Sequence, residues 1–365
     1  MNVHPVHFCA RRIWPLLLLV STGAQALGGE LVQTLGAEVR EQFLPRTPGL
    51  AVAAAVDGKI VWSEGFGLAD LDRKKPVTPR TLFRIGSISK PLTAAGLMLL
   101  VEQGKLNLDA DIHRYYPGFP DKGVVITTRQ LAGHLAGIRH YRGLEFLLNK
   151  HFATVRDGLK IFEEDPLESR PGEKFSYSSY GWNLISQVME GASKEEFLGY
   201  MGKAVFKPLG MTNTMPDQAG RELPERTSFY NLKAGGGFET APAVDNSYKW
   251  AGGGFLSTPE DLVRFGMAHL QAGFLRSESL DTLFTSQKTS DGKQTGYGVG
   301  WFVLKDKHGH RVMTHTGGSV GGTSVLVIHP DSRVVVAMTS NCTTTPFDKE
   351  HVAAITERVT GWLSR

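Results

Sequence analysis

The 365-residue chain has the composition of an ordinary globular protein, with 41% hydrophobic and 21% charged residues. Its formal net charge is only +4, and Arg11 and Arg12 supply two of those charges. A broad basic surface for nucleic acid is therefore excluded. The two cysteines, Cys9 and Cys342, cannot build a disulfide framework. We expect Cys342 to be a buried small apolar residue rather than a reactive thiol.

Residues 1–26 have the order of a secretory signal peptide. Two arginines precede an apolar stretch at 13–20, and Ala24-Gln25-Ala26 offers a small-residue cleavage site. The apolar stretch is too short to span a bilayer. We expect an exported protein, periplasmic or secreted, with a mature chain that begins at Leu27. A mitochondrial transit peptide and a twin-arginine signal are the alternatives.

The predicted elements change character twice along the chain. Residues 106–254 read mostly as helical segments and polar loops, whereas the segments before and after them contain strands. A helix is predicted at 31–43, a hairpin at 50–56 and 59–66 around Asp57-Gly58, a buried helix from about Ser87, strands at 297–304, 311–316, 323–329 and 334–340, and a closing helix at 349–363.

This order predicts an α+β protein in which both ends of the chain build one antiparallel sheet flanked by helices. The sheet lobe comprises about 27–105 and 255–365. An all-helical lobe, about 106–254, is inserted between them. We expect the functional cleft where the two lobes meet.

Ser87-Ile88-Ser89-Lys90 opens an apolar run that extends from Pro91 to Val101. Three residues apart on a helix, the hydroxyl and the amine share a face, so the lysine can remove the serine proton. A proline at 91 requires the helix to begin near Ser87. Alone, the tetrad fits either a catalytic pair or a helix cap beside a surface lysine. A second tetrad, Ser290 to Lys293, lies in a polar stretch and predicts a surface loop.

Two further motifs follow in order, Tyr177-Ser178-Ser179 and Thr314-His315-Thr316-Gly317-Gly318. The set resembles the serine beta-lactamase and penicillin-binding protein superfamily (peptidase S12-like), in which Ser-x-x-Lys, Tyr-x-Asn or Tyr-x-Ser, and Lys/His-Thr-Gly line one cleft. The run 244–258 is similar to the mitochondrial serine beta-lactamase-like subgroup. Smaller landmarks agree, at 127–137, 207–211 and 297–301.

The resemblance implies a beta-lactamase/DD-peptidase-like fold and a serine hydrolase that forms an acyl-enzyme on peptide (amide) or ester bonds, with peptidase or protease activity expected. A D-alanyl-D-alanine carboxypeptidase or weak beta-lactamase is the alternative. The non-enzyme alternative is a catalytically silent scaffold or a penicillin-binding sensor. The partner implied is a small-molecule, ester or peptide substrate, with a homo-oligomer or filament also described for the subgroup. No cofactor and no membrane span are expected.

The resemblance also assigns roles. Ser87 is the expected nucleophile, and Lys90 its general base, which requires burial because an exposed lysine has a pKa of ~10.4. Tyr177 is the expected proton relay to the leaving group. Ser179 stands where asparagine is commoner, and it can hydrogen-bond Lys90 or the substrate.

His315 replaces the lysine of most beta-lactamases. Near its reference pKa of ~6.5 it is mostly neutral at pH 7.5, so we expect uncharged esters or internal peptide bonds to be cleaved better than carboxylate-bearing penicillins. Thr316 is expected to offer its hydroxyl to the substrate, and Gly317-Gly318 to allow a close backbone approach. The N–H groups of Ser87 and Gly318 are the candidate oxyanion hole.

The remaining candidates have plainer interpretations. His134 is expected to be a packed structural histidine. His308 and His310 lack nearby acidic or cysteine partners, so no metal site is predicted. Four residues before a glycine run either line the substrate pocket, Tyr248 foremost, or fix their own loop: Asp245, Asn246, Tyr248 and Lys249.

Overall fold

The computed structural model describes residues 29–343, Phe347 and residues 349–362; the predicted signal segment, 1–26, lies outside the described residues. The α-helices are α1 (Gly29–Phe43), α2 (Ser89–Glu102), α3 (Thr128–Ala132), α4 (Val155–Leu159), α5 (Ser179–Ser193), α6 (Phe197–Met201), α7 (Trp250–Gly253), α8 (Pro259–Met267), α9 (Ser277–Phe284) and α10 (Lys349–Trp362). Short 3-10 helices lie at Leu44–Arg46, Gly86–Ile88, Ile112–Arg114, Glu145–Leu147 and Ser247–Lys249, and a π-helical turn lies at Gly202–Phe206.

The strands are β1 (Gly49–Val56), β2 (Lys59–Asp70), β3 (Lys75–Pro76), β4 (Phe83–Arg84), β5 (Met215–Pro216), β6 (Tyr230–Leu232), β7 (Phe238–Thr240), β8 (Phe255–Ser257), β9 (Phe302–Lys305), β10 (Arg311–Ser319), β11 (Gly322–His329), β12 (Val334–Ser340) and β13 (Cys342–Thr343). Seven of them form the main sheet in the order β3-β2-β1-β12-β11-β10-β9.

The main sheet is antiparallel and is built from both ends of the described chain, as predicted. β1 pairs with β12 from Leu50 opposite Ser340 to Val56 opposite Val334. The hairpin between β1 and β2 turns at Asp57-Gly58, where both residues have positive φ (48° and 80°). This is the backbone of a tight hairpin turn, and the Asp-Gly pair accommodates it.

Both faces of the central strands are buried because helices cover each of them. Along β12, Val334, Val336 and Met338 pack with α1 and α10, whereas Val335 and Ala337 pack with the larger core that includes α2 and α8. The period-2 alternation of strand side chains explains why one run of apolar residues serves two cores. Cys342 is also fully buried, as expected.

Helix α2 runs through the middle of the larger core, between the main sheet and the inserted lobe. Eleven of its fourteen residues are buried, including Lys90. A helix without a polar face is stable only when neighbouring elements cover it on all sides. The N-terminus of α2 is therefore held rigidly where the two lobes meet.

Three details differ from the sequence-based expectations. The predicted strand at 297–304 exists only as β9, because Gly300 has a left-handed φ of 81° that interrupts extended backbone. The inserted lobe is not all-helical, since it contains β5, β6 and β7. A 3-10 turn over Gly86–Ile88 precedes α2, which begins at Ser89.

The second tetrad forms an exposed turn, as predicted. In the part of the chain that the structure describes, no helix is long and apolar enough to cross a membrane.

Candidate active site

Ser87 lies in the 3-10 turn that leads into α2, half-buried at the junction of the lobes. This turn packs backbone to backbone against β10. A Cβ atom on Gly317 would overlap the carbonyl of Ile85, and one on Gly86 would come within 2.5 Å of the carbonyl oxygen of Gly318. Glycine at these places allows the serine turn to contact the strand edge directly.

The amine of Lys90 is surrounded by three neutral oxygen atoms. Its Nζ lies 3.0 Å from Ser87 Oγ, 3.0 Å from Ser179 Oγ and 2.7 Å from the carbonyl oxygen of Gly252. A protonated amine donates to all three. A neutral amine donates to two of them and accepts from the third, and Ser87 is the partner whose hydroxyl proton can be transferred.

Lys90 is fully buried, and no ion pair to it is found among the described residues. Burial, followed by the positive charge of Lys249, lowers the pKa of Lys90 well below its ordinary value of 10.5. A lysine with a depressed pKa is neutral in a larger fraction of molecules near neutral pH. The structure therefore meets the condition under which Lys90 can act as a general base.

Two histidines hold the segment that carries Tyr177 and Ser179. The backbone N–H of Ser178 donates to His134 Nδ1 (3.0 Å), and that of Ser179 donates to His140 Nδ1 (3.1 Å). The His134 ring also packs on Tyr177, with ring centroids 4.2 Å apart. His134 is thus a packed, buried histidine that positions the tyrosine, as the sequence suggested.

Tyr177 lies beside both members of the Ser-Lys pair. Its ring centroid is 4.8 Å from Lys90 Nζ. Burial raises the pKa of Tyr177, and the interaction of its phenol with the Ser87 hydroxyl only partly opposes this rise. The side chain therefore remains a neutral phenol, and its raised pKa means that it can relay a proton only if another group returns one to it.

His315 does not have the environment that the sequence suggested. It is only 1% exposed. Its Nδ1 lies 2.6 Å from the carbonyl oxygen of Thr316, and its Nε2 lies 2.9 Å from the hydroxyl of Tyr297. A carbonyl can only accept, so Nδ1 carries the proton and Nε2 accepts from the tyrosine. Both ring nitrogens are engaged within the protein.

The expectation that His315 titrates near neutrality is therefore corrected. Burial, with a contribution from the charge of Lys90, lowers the pKa of His315 to about 3. The imidazole is neutral throughout the physiological range and does not line the cavity beside Ser87. It joins β10 to the loop that contains Tyr297.

The end of β10 presents the remaining predicted substrate-binding residues. β9 pairs only with Arg311 to Thr314, so the following residues of β10 extend beyond it. Thr316 is exposed, and Gly318 lines the same cavity as Ser87. The structure thus places both residues of the predicted oxyanion hole, Ser87 and Gly318, at one cavity.

Gly252 and Gly253 of the glycine run also line this cavity. A Cβ atom on Gly252 would lie 2.8 Å from Asn183 Oδ1 and 2.9 Å from the carbonyl of Ser179. Without a side chain, Gly252 lets α7 approach α5 closely enough for its carbonyl to reach Lys90.

The cavity has a volume of about 170 Å³ and contains both predicted and unpredicted residues. Tyr248 is not among its lining residues; the Tyr248 hydroxyl donates to the backbone carbonyl of Glu145 (2.8 Å), and its ring centroid lies 5.2 Å from Lys249 Nζ. Asp245 and Asn246 fix their loop through Ser247 and Asp217. The lining residues are Ser87, His140, Tyr141, Phe146, Ser179, Lys249, Gly252, Gly253 and Gly318.

Sequence reasoning missed the roles of His140 and Tyr297, and it could not rank Lys249 above its neighbours. His140 and Tyr141 follow the 127–137 landmark, and Tyr297 begins the 297–301 landmark. These landmarks were the available signal that such residues belong to the site, but they do not show which atoms meet.

The Ser-Lys pair, its phenol and the glycine-lined cavity define a serine hydrolase of the beta-lactamase type. Comparisons with known proteins agree with this class. A family model described as Beta-lactamase matches residues 37–360. The chain therefore belongs to the beta-lactamase family.

Individual relatives support the same assignment. The human serine beta-lactamase-like protein LACTB, mitochondrial, is 32% identical in an alignment that covers 78% of this chain and 69% of that protein. Penicillin-binding protein 4* of Bacillus subtilis is 29% identical and covers 80% and 67% of the two chains. The octameric penicillin-binding protein homologue from Pyrococcus abyssi superposes with a TM-score of 0.77 at 25% identity, over 91% of this chain and 77% of that one.

Proposed function

We propose that the protein hydrolyses peptide (amide) or ester bonds through an acyl-enzyme on Ser87. The observation that carries the proposal is the environment of Lys90. Its amine is fully buried, contacts the Ser87 hydroxyl at 3.0 Å, and is otherwise surrounded by neutral oxygens. A lysine at a helix cap beside the surface would be solvated and protonated instead.

In acylation, neutral Lys90 takes the proton of Ser87 while Oγ forms a bond to the substrate carbonyl carbon. The carbonyl oxygen gains negative charge, and the backbone N–H groups of Ser87 and Gly318 are the donors proposed to stabilise it. The bond to the leaving group then breaks, and the leaving group takes a proton from the phenol of Tyr177, which Lys90 reprotonates.

In deacylation, a water molecule attacks the ester and Lys90 again accepts the proton. Lys90 is proposed as the base in both acylation and deacylation because no carboxylate occurs among the described residues that line the cavity. The leaving Ser87 oxygen regains its proton from Lys90, which returns the site to its starting state.

Covalent labelling tests the proposal. A fluorophosphonate probe is expected to modify the wild-type protein once, at Ser87, as read by intact mass and peptide mapping. Ser87→Ala should abolish labelling, whereas the matched variant Ser290→Ala in the second tetrad should label normally. Equal labelling of Ser87→Ala and wild type would refute the assignment.

Substrate screening tests the bond class. Wild type should hydrolyse p-nitrophenyl esters or peptide amides with a burst of product equal to the enzyme concentration when deacylation is slow. A labelled but hydrolytically inert protein would favour the penicillin-binding sensor that the sequence left open.

A further inference from the structure

Lys249 is a second buried lysine in the cavity, and the mechanism above does not use it. It is only 2% exposed and lines the cavity together with Ser87 and Gly318. Within the described residues, no hydrogen bond or ion pair to its Nζ is found. A buried ammonium without a partner is costly, because removal from water is not repaid by another charge or by hydrogen bonds.

Aromatic rings surround the Lys249 amine in place of carboxylates. Its Nζ lies 4.4 Å from the ring centroid of Phe146, 5.2 Å from Tyr248 and 5.7 Å from Tyr141. Such rings favour a cation only weakly compared with a hydrogen-bonded anion. They leave the hydrogen-bonding capacity of the amine unused, and Lys249 is one of the residues that line the cavity.

The acidic group that could neutralise Lys249 is engaged elsewhere. Burial, followed by the charge of Arg84, lowers the pKa of Lys249 to about 7, and Asp217 opposes the shift. However, the Asp217 carboxylate accepts from Arg84 at 2.6 Å and from Asn246 at 2.7 Å. A negatively charged ligand in the cavity would therefore give the Lys249 amine the ion pair that no carboxylate of the described residues provides.

We propose that Lys249 is a specificity-determining residue that binds a carboxylate on the substrate, close to the carbonyl attacked by Ser87. This inference rests on the proposed hydrolase function and extends it to a substrate class. His315 cannot take this role, because both of its nitrogens are bonded inside the protein. Lys249 approaches the cavity from the helical lobe, opposite β10.

The proposal reverses the substrate preference expected from the sequence. With His315 as the recognising group, uncharged esters should react better. With Lys249 in that place, carboxylate-bearing esters or amides should be preferred, by about 10- to 100-fold for one charge-assisted hydrogen bond.

Two matched pairs of esters test this preference. In the first pair the charge is on the acyl group: mono-p-nitrophenyl glutarate and its neutral methyl ester. In the second it is on the leaving group: 4-acetoxybenzoate and methyl 4-acetoxybenzoate. For each pair, the ratio of kcat/KM for acid and neutral ester is measured at pH 7. Wild type is expected to favour the acid by at least 10-fold in one pair.

Variants then assign the preference to Lys249. Lys249→Met keeps an unbranched, flexible side chain of similar length but removes the charge. It should bring the acid-to-neutral ratio to about one, whereas Lys249→Arg should retain most of the preference. The charge of Lys249 also lowers the pKa of Lys90, so absolute rates will change. The ratio cancels that effect, because both esters of a pair use the same base.

The outcomes separate the two proposals. A ratio near one for both pairs in wild type, or an unchanged ratio in Lys249→Met, overturns the role of Lys249 while hydrolysis at Ser87 stands. If wild type hydrolyses none of the four esters although a fluorophosphonate labels Ser87, the hydrolase function fails, and the inference fails with it. Labelling of Lys249→Met by the same probe shows whether that variant is folded.

Discussion

Two buried basic side chains near the reaction centre, His315 on the sheet side and Lys249 on the helical side, have opposite environments. On the sheet side, His315 has a partner for each ring nitrogen, Tyr297 and Thr316, and is neutral. On the helical side, Lys249 is framed by aromatic rings, and its amine has no hydrogen-bond partner among the described residues. A fully satisfied group contributes to structure, whereas an unsatisfied one is available to a ligand. This difference points to Lys249, rather than the motif residue His315, as the group open to a ligand.

The largest expected effect is on the rate of acylation when Lys90 is replaced. Lys90→Ala should slow acylation by about 10²- to 10⁴-fold, because the general base is lost. Stopped-flow measurement of p-nitrophenol release gives the rate. Lys293→Ala, in the exposed second tetrad, is the matched control and should react like wild type. Acylation of Lys90→Ala within threefold of wild type would require a different base.

A positive charge introduced at His315, on the sheet side, is expected to destabilise the folded protein, in contrast to the amine of Lys249 that the helical side already contains. His315→Lys introduces an ammonium into a site that is 1% exposed and near Lys90. We expect it to lower the free energy of unfolding by roughly 3 kcal/mol or more, since no carboxylate of the described residues is bonded to the side chain at this position. Urea unfolding measures the loss. Unchanged stability together with improved carboxylate binding would show that the sheet side can also serve as an anion site.

The pH dependence of stability distinguishes the helical side. The pKa of Lys249 is about 7 in the folded protein and near 10.5 when unfolded. Between these values the unfolded chain binds more protons, so stability rises with pH, by at most about 1.4 kcal/mol per pH unit for one group. Lys249→Met should therefore show a flatter rise between pH 7.5 and 9.5 in urea unfolding. Equal slopes for variant and wild type would mean that Lys249 remains protonated.

The smallest expected effect comes from removing the Tyr297 hydroxyl, which donates to His315 Nε2. Tyr297→Phe removes one buried donor and should cost about 1 kcal/mol of unfolding free energy. Acylation should change by less than threefold, because His315 stays neutral and outside the cavity. A loss of activity far larger than the loss of stability would return His315 to the catalytic machinery.

Local sequence order was sufficient to predict the parts of the site that neighbours in the chain determine. Ser87 and Lys90 are brought together by one turn, and Asp57-Gly58 closes its hairpin by backbone conformation alone. The strand-like segments at both ends of the chain predicted that one sheet is built from both, although they did not predict that β1 pairs with β12.

Other features depend on contacts between distant segments, and the sequence could not define them. The environment of His315 is determined by a tyrosine eighteen residues earlier, beyond a glycine that interrupts the expected strand. The environment of Lys249 depends on a carboxylate that is engaged elsewhere, because Asp217 pairs with Arg84, 133 residues away in the chain. No pattern in the sequence predicts whether Asp217 pairs with Arg84 or with Lys249.

The contact between the serine turn and β10 has a consequence for how this molecule can diverge. Backbone atoms of Ile85, Gly86, Gly317 and Gly318 are in close contact there. A side chain added at Gly86 or Gly317 would overlap the facing backbone, so substitution at these two glycines breaks the contact rather than adjusting its spacing. New substrate preferences must therefore arise on the facing loops around Tyr141, Phe146 and Lys249, where side chains can be exchanged one at a time while the reaction centre keeps its dimensions.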